Sequence, residues 1–128
     1  MNHSRISTIT SDFFKDPAEG MLVTSRTNCT YLTGFTGSNG YLLLTQSNAV
    51  LFTDSRYIEQ AARQCPELDV KMISASHSSL MDVVVENRLN TIYIEPDHIS
   101  LSEYRTIKNT FGKNISLKAD NKHIIEHY

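Results

Sequence analysis

Three carboxylates in this chain stand where acids in an α/β protein can do chemistry. Asp54 follows the apolar run Ala49 to Thr53, and Glu95 and Asp97 follow Thr91 to Ile94. Sites collect at strand ends in open α/β sheets, and acids gathered there can bind a metal as nuclease-like sheets do. Two of them also have a bland use, and the bland use is the expectation here. Asp54 can cap a helix beside Arg56, and Asp97 sits in a Pro-Asp turn. His123 and His127 are four apart with Glu126 between them, so a helix would put both imidazoles on one face as metal ligands. They stand in the last few residues given, where nothing fixes a coordination geometry, and a solvated helix face is expected.

The other chemical candidate is the loop Gly34-Phe35-Thr36-Gly37-Ser38-Asn39-Gly40. Its glycines recur every third residue, which is neither GxGxxG nor a Walker A loop, and the phosphate-binding lysine is missing. Ser38 lies outside any GxSxG elbow. The spacing predicts glycines at positive-φ positions of a tight loop, with Phe35 as an apolar contact residue. No nucleophile–base pair can be assembled from spacing.

These residues need elements to hold them. Ile6, Ile9, Phe13 and Phe14 form one helical stripe that ends near Lys15, because Pro17 cannot continue it. Met21 to Thr24 reads as a buried strand, and Ser25 to Asn39 as a turn-rich loop. Tyr41 to Thr45 and Ala49 to Thr53 are strands joined by Gln46-Ser47-Asn48, a hairpin. A helix from Arg56 to Gln64, capped by Asp54 or Ser55, stops at Pro66. Asp69 to Ile73 is a strand, Ser79 to Arg88 a helix, and Thr91 to Ile94 a strand. Ser100 and Glu103 make a capping box. The helix it starts is predicted to bury Leu101, Tyr104, Ile107 and Phe111 and to end at Gly112. Ile115 to Leu117 adds an edge strand, and Asp120 caps a last helix. The order implies one α/β domain, a mixed β-sheet of about five to six strands flanked by helices.

At 128 residues such a domain buries roughly two thirds of its unfolded surface. A formal charge of -2 supplies no field for phosphate backbones, so no nucleic acid is expected. Apolar runs such as Tyr41 to Leu44 are too short for a membrane span. MNHSRISTIT has no apolar signal region, so a cytoplasmic protein with Cys29 and Cys65 as reduced thiols is expected. Asn28-Cys29-Thr30 and Asn114-Ile115-Ser116 match the N-glycosylation pattern, by chance on that reading.

Tyr31-Leu32-Thr33-Gly34-Phe35-Thr36-Gly37-Ser38-Asn39-Gly40, then Leu51-Phe52-Thr53-Asp54-Ser55-Arg56-Tyr57 and Glu59-Gln60-Ala61, closely resembles the N-terminal domain of the creatinase/prolidase family. These are the pita-bread metallopeptidases, among them Xaa-Pro aminopeptidases and Xaa-Pro dipeptidases. Ile92-Tyr93-Ile94-Glu95, Asp97-His98-Ile99-Ser100 and Glu103-Tyr104 resemble that domain's last strand and capped helix, so the likeness covers nearly the whole chain.

The resemblance implies a ribonuclease H-like motif and a non-catalytic role within a proline-specific metallopeptidase. The family's two divalent ions (Mn, Co or Zn) are held by two aspartates, a histidine and two glutamates of a C-terminal domain, and none of these can be matched here. It also implies partners: the protein's own catalytic domain, a second copy in a homodimer, and short proline-containing peptides. Tyr31, Phe35, Thr36, Ser38 and Asn39 then become residues of a substrate-entrance wall, and Asp54 with Arg56 a structural pair fixing the loop's exit. The rival expectation is a self-standing α/β module that binds a ligand or partner through the glycine loop, without peptidase activity.

Overall fold

A computed structural model describes residues 2–73, 77–121 and 125, and side chains among them from Arg5 onward. Twelve elements follow in order: α1 (Asn2–Phe13), β1 (Glu19–Val23), α2 (Arg26–Thr33), β2 (Gly40–Thr45), β3 (Ala49–Thr53), α3 (Ile58–Gln64), β4 (Asp69–Met72), α4 (Ser78–Glu86), β5 (Thr91–Ile94), α5 (Leu101–Phe111), a 3-10 turn (Gly112–Asn114) and β6 (Ser116–Ala119). The strands form one mixed sheet in the order β4-β3-β2-β1-β5-β6. Only β2 runs against its neighbours; the β1–β5, β3–β4 and β5–β6 pairs are parallel. The C-terminal ends of β1, β3 and β5 therefore share an edge with the start of β2, and the glycine loop enters there.

Alternation along the central strands feeds two cores. Met21, Val23, Leu42, Leu44 and Leu51 face Ile6, Ile9, Cys29, Leu32 and Ala61 from α1, α2 and α3. On the other face Leu22, Leu43, Val50, Phe52 and Ile92 meet Leu80, Val83 and Val84 of α4 and Ile107 and Phe111 of α5. The period-2 pattern thus builds a helix–sheet–helix sandwich.

Several boundaries depart from the sequence reading. The predicted loop from Ser25 to Asn39 begins with a full helix, α2. Helix α3 starts at Ile58, and its N-cap residue, Tyr57, makes no side-chain cap bond. Asp54 serves the preceding turn instead. Leu101, predicted to be buried, is 64% exposed. Standing at the first turn of α5, it points away from the stripe that buries Ile107 and Phe111. The Ser100–Glu103 capping box is complete: Ser100 Oγ accepts from the Glu103 amide and Glu103 Oε1 from the Ser100 amide. The helix predicted after Asp120, with His123, Glu126 and His127, lies outside the described residues, although Ile125 is buried on the α1 face. Among the described residues no helix is long and apolar enough to cross a membrane.

Cys29 and Cys65 are buried free thiols. Burial pushes Cys29 up to about 11. Neither thiol is expected to react with a thiol reagent at neutral pH until the chain unfolds, since the thiolate is the nucleophile. A raised value stabilises the fold fully below the unfolded thiol's value and is lost as pH rises. Unfolding midpoints should therefore fall as pH rises from about 9 towards 11. A flat midpoint across that interval would contradict the burial.

Candidate functional site

The site starts with α2, because α2 delivers the loop. Ser25 caps it, its Oγ accepting from the Asn28 amide at 3.1 Å. Just before it, the chain is clamped to β5 by Glu95, which is 6% exposed. Glu95 Oε1 accepts from the amides of Thr24 (2.8 Å) and Ser25 (2.9 Å), and Oε2 accepts from Asn28 Nδ2 (2.6 Å). Three donors at a helix N-terminus offset the desolvation of a buried carboxylate. Thr24 Oγ1 adds a bond to the His98 carbonyl. Glu95 is thus a fastening, and the Asn28 amide it holds is closed to a glycan in the folded chain.

Gly34 ends α2 in the left-handed region at φ 81°, its amide returning to the Thr30 carbonyl. Of the loop glycines only Gly34 has positive φ, against the expectation for Gly37 and Gly40. Those two are glycine for a different reason. Phe35 is 1% exposed and turns into the core under the loop, so its ring is the loop's floor and not a contact surface. A Cβ on Gly37 would overlap Phe35 Cζ, and one on Gly40 would lie 3.2 Å from Phe35 Cε2. Thr30 Oγ1 holds the Phe35 carbonyl and Thr33 Oγ1 accepts its amide. Gly37→Ala is expected to destabilise by about 1–3 kcal/mol through overpacking, read as a lower denaturant midpoint. Phe35→Leu should recover part of that loss by clearing the clash.

Helix α3 and its approach fasten the other side of the loop. Thr36 donates its amide to Gln64 Oε1 at 3.0 Å, and its hydroxyl accepts from Gln60 Nε2 and Gln64 Nε2. The Ser38 hydroxyl lies 2.6 Å from the Tyr57 hydroxyl. Asn39 Nδ2 donates to Asp54 Oδ2 at 2.8 Å, and the Asn39 carbonyl accepts from Thr53 Oγ1. Asp54 accepts from the Arg56 amide, Nε and Nη2, a bidentate pair with 2.8 Å at the shorter contact. The Arg56 guanidinium and then the Asn39 amide hold the Asp54 carboxyl well below the usual carboxylate range. Arg56 also lies over the Tyr57 ring, 5.1 Å from its centroid.

Of the residues singled out in sequence, Thr36, Ser38 and Asn39 stand exposed along one fastened loop, with the Asp54–Arg56 pair at its exit. Tyr31 belongs to α2, half-buried beneath Arg5, whose guanidinium is 4.3 Å from its ring centroid. Asp54 and Glu95 leave strands separated by β2 and β1, about 14 Å apart at sheet spacing. No group of three His, Cys, Asp or Glu that could hold a metal occurs among the described residues. The described residues therefore supply no donor set for a two-metal centre.

Sequence reasoning passed over a small polar cleft of about 120 Å³ between the loop and α5. Thr24, Arg26, Ser38, Asn39, Tyr41 and Glu103 contribute to its walls. Tyr41 donates its hydroxyl to Glu103 Oε2 at 3.3 Å; burial, then the Glu103 charge, pushes this phenol up to about 12. It also passed over Gln64 and met Gln60 only as part of the family likeness, although their i, i+4 spacing on one helix face was an available signal.

A family model for the creatinase/prolidase N-terminal domain matches residues 5–127. A putative Xaa-Pro aminopeptidase of Mycoplasma genitalium is 31% identical over 97 residues, 74% of this chain and 27% of that protein. An Xaa-Pro aminopeptidase structure from Streptococcus pyogenes superposes with a TM-score of 0.86 at 27% identity, covering 98% of this chain and 95% of that one. An Xaa-Pro dipeptidase from Bacillus anthracis shares the fold with a TM-score of 0.87 at 24% identity, over 99% of this chain and 35% of its own. The chain thus spans about a quarter of the curated relative and about a third of the dipeptidase. The chain belongs to the creatinase/prolidase N-terminal domain family.

Proposed function

We propose that residues 1–128 are the non-catalytic N-terminal domain of a cytoplasmic proline-specific metallopeptidase, an Xaa-Pro aminopeptidase or dipeptidase. In this reading a C-terminal domain would carry the chemistry, and two divalent ions (Mn, Co or Zn) held there would supply Lewis acidity for cleavage of the bond before proline. The present chain contributes self-association as a dimer and one wall of the substrate entrance. What carries the reading is the loop 34–39. It hangs from the sheet edge on a buried aromatic, is bonded at Thr36 to α3 and at Ser38 and Asn39 to the turn before it, and leaves Thr36, Ser38 and Asn39 exposed. A wall of that kind admits short proline peptides and turns away folded chains by shape, without catalytic groups of its own.

Ser38→Trp in the intact protein tests this, since the bulk lands on the exposed crest and the substitution gives up only the Ser38–Tyr57 hydroxyl contact. Longer Xaa-Pro peptides should lose kcat/KM about tenfold through KM, roughly 1.4 kcal/mol, while dipeptides change little. Equal kinetics for both lengths would overturn the placement of the loop at the entrance.

A further inference from the structure

The sheet ends at β6, and the described residues place no strand beyond it. Its two faces and its edge differ in character from the rest of the domain. Beside α5 an open groove of about 580 Å³ runs along the strand. Tyr104, Lys108, Lys113, Ile115, Leu117 and Lys118 line it, and no carboxylate does. The three lysines are exposed and come from three elements: α5, the 3-10 turn and β6. Neither ion pair among the described residues involves them. Lys108 lies over Tyr104, its Nζ 5.7 Å from the ring centroid. In a chain whose net charge is -2, this is a local reversal of sign.

The backbone of the edge is equally specific. Ser116 and Asp120 donate their amides inward, to the carbonyls of Asn90 and Ile94. In a parallel pair alternate residues face alternate sides, so Leu117 and Ala119 turn both N–H and C=O outward. Those groups form a ready template for one more strand. Lysines on such an edge repel a second copy of the same edge, so the strand it accepts must bring negative charge. Ile125 is buried on the opposite, α1 face.

We propose that the outer edge of β6 and the lysine groove beside α5 are a docking surface for an extended acidic segment of a partner chain. The segment adds as a seventh strand, bonds to Leu117 and Ala119, and turns its alternate carboxylates towards Lys108 and Lys113. Lys118 flanks it from the other side, since its register partner is Tyr93 of the α1 face.

A labelled peptide of about eight residues, the length of an ordinary strand, with glutamate alternating with valine is the probe. A second peptide carries lysine at the glutamate positions. Anisotropy titration of the full chain should show binding of the acidic peptide alone, weakening steeply with salt. Lys108→Glu with Lys113→Glu, both at exposed positions, should weaken it about tenfold or more. Amide exchange at Leu117 and Ala119 should slow on binding. Equal binding of the lysine peptide, unchanged affinity in the double variant, protection elsewhere, or no binding at low salt would each overturn the proposal. The last three would leave the lysines as guards of a bare edge.

Discussion

Glu95→Ala is expected to destabilise the fold by about 3–5 kcal/mol, because three donors lose their acceptor in a place closed to solvent. The Thr24 and Ser25 amides and the Asn28 side chain all point at this one carboxylate. Removal also frees the start of α2, so the effect reaches the loop that α2 delivers. Glu95→Gln separates geometry from charge. Its carbonyl oxygen can still take both backbone amides, and a turned Asn28 amide can accept from the new NH2 group. A loss of only about 1–2 kcal/mol is expected for that variant. Chemical denaturation of both variants is the check. Equal, small losses in both would mean that water replaces the carboxylate at no great cost.

The second large effect is expected at Phe35→Ala, about 3–5 kcal/mol from deletion of an aromatic that is 1% exposed. In a domain of this size that lowers the unfolding temperature by about 11–19 °C. The ring meets Tyr57 edge-on at 6.3 Å and fills the space beneath Gly37 and Gly40. Its loss therefore removes the floor of the loop as well as part of the core. Amide exchange of residues 36–39 should quicken more than that of β1 or β5. A uniform increase across the sheet would show that Phe35 supports the core but does not order the loop.

Much of the fold was legible because it rests on short-range pattern. The hairpin Tyr41 to Thr53, the Ser100–Glu103 box and the Thr91 to Ile94 strand each announce themselves within a few residues. Helix α2 did not. Threonine, asparagine and tyrosine are weak helix formers, and the glycines after it drew the whole stretch into a loop reading. Its caps were nonetheless present in Ser25 and Gly34. Phe35 misled for a related reason: an aromatic among glycines reads as exposed, while here the missing Cβ atoms make room for its ring. The Glu95 clamp joins residues about seventy apart, and no local spacing reports such a contact. Resemblance identified the family; the fastening of the loop became visible only in three dimensions.

The central claim is that this domain frames a proline-specific peptidase and performs no hydrolysis itself. Turnover of an Xaa-Pro peptide, measured on the intact protein and on the 128-residue chain with Mn, Co or Zn supplied, tests it most directly. Cleavage before proline by the intact protein and none by the chain alone is the expected result. Turnover that stays with the purified chain, or an intact protein that leaves Xaa-Pro bonds uncut with every metal, would contradict it.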